Sequence, residues 1–220
     1  MPSFDEVVLA RRSVRAFLPT AVPQATLEEC LSLAQHAPSN CNVQPWRVFV
    51  ASGEACARVR AALLEAFAAG ATPKDEDFID TFPGEYRTKQ VACAVEMYGK
   101  MGVARGDADG RLRAHRRNFE LFDAPHVAVV CMERHFGVGV ALDVGTWLQT
   151  FMLALTARGI GSCAQASVRL YSDALRAALG IPEGLRVLCA VSFGYERREA
   201  PVNATRQPRD PLSGNVVFRT

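Results

Sequence analysis

The sequence predicts an α+β fold in which helices cover a central sheet, and three observations carry the prediction. Segments of helical spacing come first along the chain. Short apolar stretches of strand character then alternate with helical ones from residue 126 onward. Hydrophobic residues make up 49% of the 220 positions against 22% charged, enough for one full core in a single domain without repeats or linkers.

Each element has its own reason. Ser3 to Glu6 reads as a capping box ahead of a short helix, and Thr26 to Glu29 as another, ahead of a helix with Leu27, Cys30, Leu31 and Ala34 on one face and Pro38 beyond its end. Trp46 to Ala51 alternates like a strand. Glu54 to Ala69 returns to helical spacing through Val59, Leu63 and Phe67, with Gly70 as C-cap. Residues 71–86 are polar and broken by Gly and Pro, and helices are predicted near 87–102 and 109–122. His126 to Met132 reads as a buried strand, Asp143 to Arg158 as a core helix stopped by Gly159, and 162–166, 172–179 and 185–193 as strand, helix and strand. A polar tail follows from 195.

Composition excludes several classes of function. Lysine and arginine (25) nearly balance aspartate and glutamate (23), giving +2 and no overall electrostatic case for nucleic acid or a membrane surface. The N-terminus opens on Ser3, Asp5 and Glu6, unlike a signal segment. The longest apolar run, Ala141 to Ala157, holds Asp143 and Gln149 and falls short of the roughly 20 residues a spanning helix needs, so a cytoplasmic protein is expected. The 7 cysteines are scattered, without metal-ligand spacing, and are expected to be buried small hydrophobes; the sequon at Asn203 carries no meaning without a secretory route. No Rossmann or Walker loop, catalytic triad order or paired-carboxylate motif is evident.

Four segments remain. Arg11-Arg12-Ser13-Val14-Arg15 gathers guanidinium forks that pair bidentately with phosphate. Pro38-Ser39-Asn40-Cys41-Asn42-Val43-Gln44-Pro45-Trp46 offers both donors and acceptors, as the imide edge of a flavin or pyrimidine ring requires. Gly159 to Ser167, which includes Gln165 and Ala166, has small residues that let backbone N–H groups approach a flat ligand. Arg206-Gln207-Pro208-Arg209 is a second basic, turn-rich stretch.

In this order and at these separations the four segments resemble the nitroreductase family of FMN-dependent oxidoreductases. Residues 4–51 carry the resemblance best and 126–211 support it. The middle is similar to the nitrobenzoate-reductase-like branch through Tyr86-Arg87, Tyr98-Gly99, Ala104-Arg105-Gly106-Asp107 and Asn118-Phe119.

The resemblance implies one domain over 1–220 with a mostly antiparallel sheet, a variable lid at about 71–122, a C-terminal extension at about 195–220, and an intertwined homodimer with FMN at the interface. It assigns Arg11, Arg12, Ser13 and Arg15 to the FMN phosphate, ribityl chain and pyrimidine end. Pro38, Ser39, Asn40 and Asn42, with Gln44 behind them, approach the ring from the partner. Gln165, Ala166 and Ser167 lie at the ring, with backbone N–H groups of Ala166 and Ser167 toward flavin N5, and Arg206 and Arg209 close on the phosphate.

Flavin N5, not a side chain, carries the hydride. NAD(P)H is then the donor and a nitroaromatic, such as a nitrobenzoate, or a quinone the acceptor, in ping-pong order. Arg87 or Lys89 is expected to receive a substrate carboxylate. The tail reads Arg-Gln-x-Arg where many relatives have Lys-x-Arg, and Cys41 is expected to be an inert packing residue, the alternative being a redox-sensitive thiol if it is exposed. Reductive dehalogenation, flavin fragmentation and non-catalytic FMN binding are the alternatives.

Overall fold

In the computed structural model, residues 2–71 and 81–219 are described; most of the polar stretch predicted at 71–86 lies outside them. Four strands form one antiparallel sheet in the order β1-β2-β4-β3, with β1 at Arg47–Ser52, β2 at His126–Glu133, β3 at Gly161–Gln165 and β4 at Leu185–Gly194. The apolar run of β2 has the composition of a strand covered on both faces, and it is buried throughout up to Glu133.

Alternation sorts the β2 side chains between two cores. Ala128, Val130 and Met132 join the cluster formed with α2 (Gln24–Ala34) and α6 (Val138–Ala157), where Trp147, Phe151 and Leu155 are fully buried. Val127, Val129 and Cys131 join the opposite cluster, against Val59 and Leu63 of α3 (Gly53–Ala68) and Leu175 of α7 (Ser172–Leu179). A register shift beside Val130 and Cys131 lets β4 send Val187 to one core and Cys189 to the other, although both are odd-numbered. The result is a helix–sheet–helix sandwich.

The capping box at Ser3 is present, opening α1 (Phe4–Ala10). The one at Thr26 is not. Pro23 caps α2 and its carbonyl already accepts from Leu27 N–H at 3.1 Å, so Thr26 lies inside the first turn. Helix α4 (Gly84–Lys100) sits slightly earlier than predicted, and α5 (Ala108–Arg116) is shorter because Leu121, Phe122 and Asp123 take left-handed conformations that a helix cannot contain. Helix α6 begins well before Asp143 and reaches 20 residues, so by length and apolar composition it is sufficient to cross a membrane, contrary to the sequence reading. Its buried face is committed to the core beside the sheet. The tail is not featureless, since single helical turns form at Pro201–Ala204 and Leu212–Gly214.

Five of the cysteines are buried, but Cys93 is half-buried and Cys41 is exposed, so the packing role expected of Cys41 is not what the structure shows. Burial pushes the thiols of Cys131 and Cys189 up to about 12, which keeps them protonated and unreactive.

His126 joins three segments. Its Nε2 accepts from Val22 N–H at 2.9 Å, so Nδ1 carries the proton and donates to Ser52 Oγ at 2.6 Å, while the ring stacks on Phe193. An imidazolium would set two N–H groups against each other, and burial holds the pKa below its usual 6.5. The unfolded chain therefore takes up the proton first. Folding stability is expected to fall by up to about 1 kcal/mol per pH unit as pH drops below about 6.5. Denaturant titrations at pH 7.5 and 5.5 check this, and equal losses in wild type and His126→Gln would assign the acid sensitivity elsewhere.

Candidate functional site

Residues 11–17 form no regular element, yet their backbone is held closely by segments far along the chain. Val14 N–H donates to Ser162 O at 2.9 Å, Leu18 N–H to Tyr195 O at 2.8 Å, and Arg197 N–H to Ala16 O at 3.0 Å. Asn203, buried at the tail's first turn, completes the attachment. Its Oδ1 accepts from Arg15 N–H at 2.7 Å, and its Nδ2 donates to Ala16 O at 2.8 Å and Arg197 O at 2.9 Å. Gly161 permits the close approach, because a Cβ there would lie 2.8 Å from Val14 Cγ2. Val14 and Phe17 turn into a small core with Phe122, Ala124 and Cys163.

Arg11, Ser13 and Arg15 then line a cleft of about 680 Å³, together with Arg12, Gln149 from α6, and Thr205, Arg206 and Arg209 from the tail. Two of the predicted segments thus converge. Arg12 is spent differently from its neighbours, since its guanidinium pairs with Glu196. Arg15 makes only a 3.4 Å contact with Ser13 O, while Arg206 and Arg209 hydrogen-bond backbone carbonyls of their own tail. Among the described residues no carboxylate pairs with Arg11, Arg15, Arg206 or Arg209. Burial and then the like charge of Arg209 push the Arg11 pKa down from its usual value, which shows positive charge crowded without a counter-ion.

The second segment is built but stands apart. Thr146 Oγ1 donates to Pro38 O at 3.0 Å, Asp143 Oδ2 accepts from Asn40 N–H at 3.0 Å, and Ser39 Oγ accepts from Gln44 N–H at 3.0 Å. Cys41, Asn42 and Gln44 all have positive φ, at 48°, 56° and 47°. This strained loop is anchored to α6 and exposed, and none of its residues lines the cleft.

In the third segment Gln165 is buried with both ends engaged, Nε2 donating to Asn118 O at 2.7 Å and Oε1 accepting from Ser192 Oγ. Ala166 is exposed, and Ser167 Oγ is a buried hydroxyl without a partner. Arg87 is exposed and bonded to Gln90, and Lys89 pairs with Asp210, so the predicted carboxylate-binding pair lies outside the cleft with its lysine already neutralised.

Sequence reasoning missed Asn203, Glu196 and Gln149. Asn203 stood inside a dismissed sequon, and no local pattern marks any of the three.

Fold and cleft define the class: an α+β domain with a cleft whose guanidinium groups at Arg11, Arg15, Arg206 and Arg209 meet no carboxylate among the described residues, a donor set suited to an anion. More particularly, the chain belongs to the nitroreductase family, whose model matches residues 8–195. It is 38% identical over 215 residues to "Nitroreductase NfnB" of Mycolicibacterium smegmatis, covering 97% of this chain and 92% of that one. It is 33% identical to the "4-nitrobenzoate reductase" of Nocardioides sp., covering 98% and 90%. The solved structure of the FMN-dependent nitroreductase NfnB from Mycobacterium smegmatis in complex with NADPH superimposes with a TM-score of 0.94 at 37% identity, covering 98% and 97% of the two chains.

Asn203→Ala leaves the N–H of Arg15 and the carbonyls of Ala16 and Arg197 without their side-chain partner. A stability loss of about 3 kcal/mol is expected in denaturant titrations. Thr205→Val, which removes one turn hydrogen bond to Val202 O, is expected to cost about 1 kcal/mol, and equal losses would deny Asn203 its special role.

Proposed function

We infer that the protein is an FMN-dependent oxidoreductase that uses NAD(P)H to reduce nitroaromatic compounds, nitrobenzoates among them, or quinones. The observation that carries this is the cleft, where four guanidinium groups that meet no carboxylate among the described residues come together at the edge of the sheet. Full-length similarity to an FMN-dependent nitroreductase and to a 4-nitrobenzoate reductase supports it. The residues present fit the cofactor. A cleft of about 680 Å³ lies within the usual 300–1,000 Å³ of small-molecule sites, and its donor set is that of a phosphate and polyol site.

Arg11, Arg206 and Arg209 hold the phosphate, and Ser13 reaches the ribityl hydroxyls. Arg12, fixed by Glu196, braces the segment. Arg15 keeps its charge available for the pyrimidine end, offsetting negative charge on the reduced ring. The backbone N–H groups of Ala166 and Ser167 and the unpartnered Ser167 hydroxyl serve the ring edge, with Gln165 fixing that turn. When bound, FMN supplies the atom that accepts the hydride and passes electrons on. Donor and acceptor reach the ring in turn, giving ping-pong kinetics.

Pro38, Ser39, Asn40, Asn42 and Gln44 contribute from a second copy, which reconciles their polar chemistry with their distance from the cleft in one chain. Phe4 and Leu9 of α1 and Val138 and Leu142 of α6 are 73%, 84%, 89% and 71% exposed, and α1 packs against the helix that anchors the loop. A homodimer covering this apolar face places the loop at the interface. We read the protein as a cytoplasmic dimer with residues 71–122 as lid and 195–220 as extension of one domain.

Purified protein is expected to show a flavin spectrum that bleaches anaerobically with NADH or NADPH and recovers with a nitrobenzoate. Arg11→Ala and Arg209→Ala are each expected to weaken FMN binding by about tenfold or more, since charge-assisted hydrogen bonds are worth about 1.5–3 kcal/mol. Unchanged FMN affinity in both variants would overturn the phosphate assignment.

A further inference from the structure

A second cavity, of about 490 Å³, lies between α4, α5 and the turn at Pro201–Ala204. Its walls are mainly apolar, with Ala94, Met97, Met101, Phe122 and Val202 among them. Arg15 lines this cavity as well as the first, so the two share that residue. Phe122 is buried in a left-handed conformation, and its carbonyl accepts from Phe17 N–H at 3.3 Å, which ties this wall to the segment that carries Arg15.

The charges around the cavity are all of one sign. Arg15, Lys100 and Arg117 line it, with no aspartate or glutamate among the lining residues. Arg117 is already matched, pairing with Glu120 and, at 2.7 Å, with Asp123. Lys100, in the last turn of α4, has no ion-pair partner among the described residues, and Glu96 one turn earlier does not reach it. An apolar chamber with an unmatched ammonium at its rim suits a flat ring bearing one negative charge: methionine sulfur and the Phe122 ring pack against aromatic faces, and the ammonium meets the anion.

We propose that this cavity is the acceptor subsite and that it selects aromatic acids, with Lys100 receiving the carboxylate. The assignment rests on the oxidoreductase reading above and deepens it. It moves the carboxylate site from Arg87 and Lys89, which the sequence suggested, to a lysine about three turns further along the same helix whose charge is not already paired with the tail. Lys100 acts in this as a specificity residue, touching the substrate's anionic group and not the group that is reduced.

The test is calorimetric binding of benzoate and of its neutral counterpart benzamide to the purified flavin-bearing protein. Wild type is expected to bind benzoate more tightly than benzamide. Lys100→Met is expected to weaken benzoate about five- to tenfold while leaving benzamide within about twofold, and Lys100→Arg to restore most of the difference, the effect being moderate because the ammonium is exposed. Met97→Ala, a change in the wall, is expected to weaken both ligands together. Benzoate affinity that is unaffected by Lys100→Met, or that falls in parallel with benzamide, overturns the assignment. The visible spectrum of the same samples separates the two readings. Colourless protein speaks against the cofactor, whereas flavin-bearing protein with unchanged benzoate binding removes only the role of Lys100.

Discussion

The attachment of residues 11–17 to the sheet edge and tail is the constraint on which the rest of the site depends. Seven residues without a helix or strand of their own are fixed by Ser162, Arg197 and Asn203, with Tyr195 holding the next residue, Leu18, all far along the chain. Without those bonds nothing would hold Arg11, Ser13 and Arg15 on one side while Val14 and Phe17 enter a core. Gly161 sets how near the segment lies, since no larger residue fits against Val14. Holding Arg11 partly buried and beside Arg209 has an electrostatic cost, in which burial first and the like charge second lower the Arg11 pKa. An anionic ligand removes that cost on binding, so the same arrangement that strains the free protein favours the occupied one. Stabilisation by a ligand held at 100 times its dissociation constant would amount to about 2.7 kcal/mol.

Positive-φ residues other than glycine are confined, among the described residues, to 41–44 and 121–123. Both stretches border the functional regions, one as the exposed loop on α6 and the other as the wall at Phe122. Each is held by groups outside itself: Asp143 and Thr146 grip the first, while Arg117 and Phe17 grip the second. Packing supplies the rigidity such conformations require: α6, which carries Asp143 and Thr146, is fixed by the large core beside the sheet, and Phe17 and Phe122 are buried together in the small one.

This division explains what could be read from the sequence. Strand β2 was legible because an unbroken apolar run has few other uses, and α3 was legible because Val59 and Leu63 keep helical spacing up to Gly70. Helix starts were less so: Pro23 closes the first turn of α2 ahead of Thr26, and the residues from Val138 to Leu142 extend α6 although several face outward. The basic segment was recognisable, but the separate fate of Arg12 depends on Glu196, as that of Lys89 depends on Asp210. Such pairings join residues more than a hundred positions apart and leave no trace in local spacing. Asn203 is the clearest case, a turn residue by composition and a three-bond bracket in the fold.

The tail unites the two cavities. Its first turn brings Asn203 to Arg15 and puts Val202 in the wall of the second cavity, and the next residues send Arg206 and Arg209 into the first. Gln207 Nε2 then donates to Cys93 O at 3.5 Å, and Asp210 pairs with Lys89, so the same stretch is fastened twice to α4. A displacement of the tail would therefore withdraw Arg206 and Arg209 from the first cavity, loosen the backbone of Arg15 and remove Val202 from the wall of the second together. The shapes of both cavities are thus governed by one segment, and neither is expected to vary independently of it.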